Sequence, residues 1–168
     1  SLDKISCVRG DRMLFKQLSF SLSRGETLWV RGPNGLGKSS LIRLASGLLR
    51  PFSGTVERHE RCALIDEASA LDPERTLRDA LNIWGRIDGI DGTATVRAME
   101  AMALTNLSDI PVSMLSTGQR KRAAMARVIA SGAPIWMLDE PANGLDDTAT
   151  ALLVKAIEAH LANGGCAL

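Results

Sequence analysis

Gly32-Pro33-Asn34-Gly35-Leu36-Gly37-Lys38-Ser39 decides the reading of this chain, because it meets every fixed position of the pattern G-x-x-x-x-G-K-[ST]. Such a loop turns successive backbone N–H groups inward around a phosphate, an approach that Cβ-bearing residues obstruct. Lys38 is positioned to reach the β- and γ-phosphates of a nucleoside triphosphate, and the Ser39 hydroxyl to ligate Mg²⁺. The flanks agree. Glu26-Thr27-Leu28-Trp29-Val30 reads as a short buried strand before the loop, and Leu41, Ile42, Leu44, Ala45 and Leu48 have helical spacing after it. Strand, glycine loop and helix N-terminus together form an anion site, which Ser40 extends into the helix.

Bulk properties set the bounds. A chain of 168 residues supports one domain with a sizeable core. Its apolar share of 45% is that of a globular protein, and no run approaches the ~20 apolar residues of a membrane span. Asp3, Lys4 and Arg9 interrupt any secretory pattern at the start. A net charge of +1 argues against nucleic acid as the partner. Cys7, Cys62 and Cys166 are scattered and odd in number, so they predict buried small side chains in a reducing, cytosolic setting rather than disulfides or a metal cluster.

Leu18, Phe20 and Leu22 alternate with serines, the period-two mark of a half-buried strand. With Ile5 to Val8 and Met13 to Phe15 they predict an antiparallel β layer ahead of the loop, and Gly54 to Glu57 and Cys62 to Ile65 predict two further strands. From about residue 69 to 113, glycines and Pro73 punctuate short helical patterns: a small helical insert within a core of 1–68 and 114–168. Thr117 to Ala130 predicts a helix, and a last helix should start near Asp146 or Asp147 and stop at Gly164.

Ile135-Trp136-Met137-Leu138 is a continuous apolar run of strand length, as in a central parallel strand covered on both faces. It ends in Asp139-Glu140. Asp139 suits the Walker B role of holding Mg²⁺, and Glu140 suits that of the base for an attacking water. Leu115-Ser116-Thr117-Gly118-Gln119 offers a second helix N-terminus with a hydroxyl and exposed N–H groups. The basic run Arg120-Lys121-Arg122…Arg127 behind it reads as a solvated helix face. Trp29, Trp84 and Trp136 read as core, and His59 and His160 as surface residues.

These motifs, in this order, resemble the ATP-binding cassette (ABC) ATPases, whose signature is L-S-G-G-Q; Thr117 is the one departure within it. The resemblance spans the chain and implies an α/β P-loop NTPase fold of ABC type: a mainly parallel core sheet, an antiparallel β layer and a small helical insert. It implies ATP and Mg²⁺ as ligands, and a homodimer in which the signature of one copy closes on the ATP held by the phosphate loop of the other. Asp146, within Asn143-Gly144-Leu145-Asp146, occupies the D-loop position.

By the same resemblance Arg9 stands where the family stacks an aromatic on adenine, and Glu67 where it has the Mg²⁺-contacting Q-loop glutamine. The family's switch histidine is expected beyond Leu168, as if the sequence were cut short. The wording of the motifs is similar to the ATPase subunits of the bacterial haem exporters of c-type cytochrome biogenesis. That implies an integral-membrane partner and a peripheral position on the cytoplasmic face of the inner membrane. The alternatives are an ABC exporter of another substrate and a non-transport ABC ATPase acting as a conformational clamp, the latter disfavoured by the lack of tandem cassettes or long coiled-coil inserts.

Overall fold

The structure is a computed structural model that describes residues 1–66 and 70–168. The chain divides into two compact units, Ser1–Leu64 with Pro134–Asp139 and His160–Leu168, and Ile65–Ala133 with Glu140–Ala159.

The first unit contains the expected antiparallel layer. β1 (Leu2–Arg9) pairs with β2 (Arg12–Phe20) on one side and β3 (Ser53–Val56) on the other. Alternation along β2 carries through: Leu18 and Phe20 are half-buried against the core while Ser19 faces out. The pairing of β1 with β2 is irregular, and Lys4 and Gln17 sit at positive φ of 46° and 53°, as bulged residues do. The second sheet has the order β4 (Cys62–Ile65), β5 (Ile135–Leu138), β6 (Cys166–Ala167), with β5 and β6 parallel.

β6 also bridges Thr27 in parallel, with Leu28 N–H donating to the Ala167 carbonyl at 2.9 Å. The segment leading into the glycine loop therefore lies beside β6, which lies beside β5. Parallel strands whose C-terminal ends fall together are where α/β sheets bind ligands. The expected strand Glu26–Val30 is reduced to this one bridge. Leu28 and Val30 turn toward the core, but Trp29 is 75% exposed, which corrects its assignment to the core. Arg31 covers it instead, its guanidinium 3.9 Å from the ring centroid.

α1 (Lys38–Ser46) buries Leu41, Ile42, Leu44 and Ala45 in one cluster with Leu2, Ile5 and Cys7 of β1, Met137 of β5 and Leu168. Each of the larger side chains contributes about 2 kcal/mol by leaving water. This cluster joins the helix behind the loop to the strand that ends in Asp139.

The second unit is helical. α2 (Leu77–Asp88) starts at Thr76, whose hydroxyl accepts from Asp79 N–H, and stops at Gly89 in the left-handed conformation. α3 (Gly92–Ala101) starts at Asp91, whose carboxylate accepts from Thr93 and Ala94 N–H. Short 3₁₀ turns at Thr105–Leu107 and Val112–Met114 lead to α4 (Thr117–Ala130). α4 packs Ala123, Met125, Ala126, Val128 and Ala130 inward. α5 (Asp147–Ala162) follows, with Ala149 and Leu153 buried. Its N-cap is Asp146, whose carboxylate accepts from Ala149 N–H at 2.7 Å. No helix of the described residues is long and apolar enough to cross a membrane.

Two other readings change. His160 is half-buried, its ring stacked on buried Trp136 with centroids 3.7 Å apart and planes 7° off parallel. Trp84 is half-buried: its indole N–H donates to the Ala70 carbonyl at 2.7 Å while the Arg127 guanidinium lies 4.9 Å from its ring. His59 is exposed, as its polar context suggests.

Candidate functional site

The glycine loop runs exposed from Gly32 to Leu36 and enters α1 at Gly37, with Leu36 N–H donating to the Pro33 carbonyl at 3.4 Å. Gly37 is the N-cap at φ 104° and ψ 17°, and no side chain caps the helix. An added Cβ there would meet Leu14 Cβ at 3.1 Å and Phe15 Cδ1 at 3.4 Å, so the conformation favours glycine and a larger residue would also push Leu14 aside by a few tenths of an ångström. Gly35, at φ 79°, has open space around it and is demanded by conformation alone. The result is a helix start at which the cap residue carries no side chain to occupy the first N–H groups, and such a start is a donor set that suits an anion.

Lys38 folds back over the loop. Its ammonium donates to the carbonyls of Gly32 at 3.0 Å and Pro33 at 3.3 Å, holding a cation at the loop's mouth. Ser39 is exposed in the first turn of α1. Ser40 turns the other way, hydrogen-bonded to the Cys7 thiol of β1, and burial pushes that thiol's pKa up. Arg9 ends β1 exposed at the hairpin, opposite Arg12.

Asp139, at the tip of β5, is buried, whereas Glu140 is exposed. Glu140 has a φ of 47°, a left-handed conformation that costs a non-glycine residue about 1 kcal/mol or more. The turn that follows holds it: Asn143 N–H donates to the Glu140 carbonyl at 3.1 Å, and Asn143 Nδ2 to Glu140 Oε2 at 3.4 Å. Asn143 is a contact that sequence reasoning missed, although Pro141 and the Asn143-Gly144 pair announce a turn. Glu67 lies outside the described residues.

The signature is a built helix start. Ser116 Oγ accepts from Gln119 N–H at 3.2 Å while Gln119 Oε1 accepts from Ser116 N–H at 2.8 Å, a complete capping box. Leu115 is buried beneath it, and Ser116 and Thr117 are exposed. Gly118 is helical, and a Cβ there would meet no atom of the described residues within 4 Å, so none of them requires a glycine. Glycine at such a place suits close approach by a ligand or a second chain.

The basic run is not a solvated face. Arg120 donates to the Leu115 carbonyl, Lys121 to the Asn143 carbonyl, and Arg122 to the carbonyls of Met102 at 2.9 Å and Ala103 at 3.0 Å. Arg127, packed on Trp84, has its pKa lowered by burial, with the carboxylates of Asp88 and Asp66 opposing that shift. Periodicity did not reveal this, because a long cation reaching a loop carbonyl leaves no pattern in the sequence.

Among the described residues no group of three or more His, Cys, Asp and Glu side chains is gathered for a metal. Mg²⁺ in nucleotide sites needs none, since it takes one or two protein oxygens and completes its shell with phosphates and water. A Ser39 hydroxyl at an uncapped helix start and a carboxylate at the strand tip fit that donor set.

The sequence profile of the ABC transporter family matches residues 15–143. The cytochrome c biogenesis ATP-binding export protein CcmA of Sphingopyxis alaskensis is 66% identical over 168 residues, covering 100% of this chain and 87% of that protein. The protein of the same name from Zymomonas mobilis is 52% identical over 164 residues, covering 98% of this chain and 74% of its own length. Among solved structures, an ATP-binding subunit of an ABC transporter superposes with a TM-score of 0.89 at 23% identity, covering 99% of this chain and 77% of that one.

Proposed function

The chain belongs to the ABC transporter family as an ATP-binding, ATP-hydrolysing subunit, and from that premise we propose that it drives the haem exporter of cytochrome c biogenesis. ATP is held between two copies of the chain, beneath an integral-membrane partner on the cytoplasmic face of the bacterial inner membrane. The left-handed Gly37 at the start of α1, with Lys38 folded back over the glycine loop, carries the ATPase part of this reading. The transport setting is supported by similarity along the whole chain to cytochrome c biogenesis exporters.

Backbone N–H groups of residues 35–39 receive the β-phosphate, and Lys38 exchanges two loop carbonyls for β- and γ-phosphate oxygens. Ser39 and Asp139 are the residues that would hold Mg²⁺, which when bound neutralises charge on the phosphate oxygens. Glu140 orients the attacking water and accepts its proton, with Asn143 Nδ2 restraining the carboxylate. Ser116, Thr117 and Gly118 of the second copy present a helix start to the γ-phosphate from the other side, and Asp146 anchors α5 behind the turn that leads away from Glu140. Once the phosphate leaves, the anion shared by the two copies is gone and the pair loosens. On this reading Arg9 stacks its guanidinium plane on the base, where the family uses an aromatic ring.

Glu140→Gln tests this reading. It should keep the affinity for ATP, lower turnover at least about 100-fold and accumulate an ATP-bound dimer visible by size exclusion. Wild-type turnover in that variant would remove Glu140 as the base.

A further inference from the structure

Arg120 and Lys121 are neighbours on the first turns of α4, yet they hold different loops. Arg120 reaches back to the signature turn, donating through Nη1 to the Leu115 carbonyl and through Nη2 to Thr117 Oγ1 at 3.5 Å. The threonine that replaces the family's glycine thereby supplies an acceptor that glycine lacks. Lys121 donates to the Asn143 carbonyl, and Asn143 is the residue that grips Glu140 by both its backbone and its carboxylate. All of these groups belong to the second unit. Charge-assisted bonds to backbone carbonyls are shorter and stronger than neutral ones, and they fix the loop rather than a mobile side chain.

We propose that Arg120 and Lys121 are positioning residues that tie the signature turn and the Glu140 turn to one strut, α4. The proposal rests on the roles given above to Ser116 and Glu140. Its consequence is directional. Phosphate gripped by the signature of one copy belongs to the other copy's site, whereas Glu140 serves its own copy's site. A strut joining the two turns lets occupancy of one site set the aim of the base in the other. Glu140 needs such support, because its left-handed backbone relaxes unless the surrounding turn over-determines it.

The test uses the full-length subunit assembled with its membrane partner. Lys121→Met keeps the stem and removes the donor. It should lower kcat about 10- to 100-fold, the effect of a misplaced reacting group. The affinity for a fluorescent ATP analogue should stay the same, and Tm should stay within about 2 °C. Lys121→Arg should restore most of the rate. In a Glu140→Gln background Lys121→Met should cause no further fall, since no base remains to be aimed. Arg120→Met and Thr117→Val should each lower kcat, and together should be no worse than Arg120→Met alone. Unchanged kcat in Lys121→Met overturns the proposal, as does a loss that follows Tm and is not rescued by arginine. Turnover persisting in Glu140→Gln alone would refute the base assignment and leave the Lys121 result readable by itself.

Discussion

Gly37→Ala is the most direct probe of the phosphate loop, because the structure sets the size of its effect. At φ 104° a residue with a Cβ is strained by about 1–3 kcal/mol. The added methyl would also lie 3.1 Å from Leu14 Cβ and 3.2 Å from Leu14 Cδ1, inside ordinary contact distance. Crowding of this kind adds about 1 kcal/mol, for a total of about 2–4 kcal/mol. In a chain of this size that lowers Tm by roughly 5–15 °C. The backbone escapes part of the strain by rotating, which turns the first N–H groups of α1 away from the phosphate. Affinity for ATP should fall at least about tenfold, equivalent to about 1.4 kcal/mol. Gly89→Ala is the matched control: φ is 71° and nothing lies within 4 Å of the new Cβ. It should lose only about 1 kcal/mol, or about 2–4 °C, and leave ATP binding intact. Differential scanning fluorimetry and titration with a fluorescent ATP analogue read both quantities. If Gly37→Ala melts with Gly89→Ala and binds ATP normally, the loop does not depend on the geometry described.

Two further substitutions separate structure from chemistry. Ser116→Ala removes one arm of the capping box and should cost about 1 kcal/mol of stability, whereas Ser116→Asp keeps a cap but sets a carboxylate against phosphate. Tm should fall only in the alanine variant, turnover should collapse in both, and ATP affinity of the isolated subunit should hold in both. At His160, burial lowers the pKa below its ordinary value, so the folded chain favours the neutral ring. That contribution to stability is full above about pH 6.5 and is lost as pH falls below it, because the unfolded chain then binds the proton more readily. His160→Phe retains the stack on Trp136 and should flatten the decline in Tm between about pH 7 and 5; an unchanged slope would rule out His160 as its source.

The ABC-type α/β fold was legible because its signals are local. Leu18, Phe20 and Leu22 alternate, Ser116 and Gln119 spell a capping box, and α4 spans the residues that spacing predicts. The continuous run Ile135–Leu138 announced a covered strand, and β5 occupies those four positions. Misreadings arose where long-range partners decide. Trp29 looks like core by composition, yet it falls on the opposite side of its segment from Leu28 and Val30. His160 looked like a surface residue because nothing near it in sequence reveals Trp136, 24 positions earlier. The basic residues of α4 have charge that sequence can count, but their acceptors are carbonyls of remote loops, which sequence does not mark. Glu140 likewise gave its chemistry away by following Asp139, while its left-handed backbone and its bond to Asn143 belong to the folded turn alone.

The capping box at Ser116 also filters visitors by polarity. Its hydroxyl oxygen already receives a hydrogen from Gln119, and the serine's own amide hydrogen is spent on the glutamine side chain. What the residue still has to give is chiefly its hydroxyl proton, beside the amide hydrogens of the next two positions. An anion meets those hydrogens at the positive end of α4, where a cation is disfavoured, before a second polypeptide ever closes on the turn.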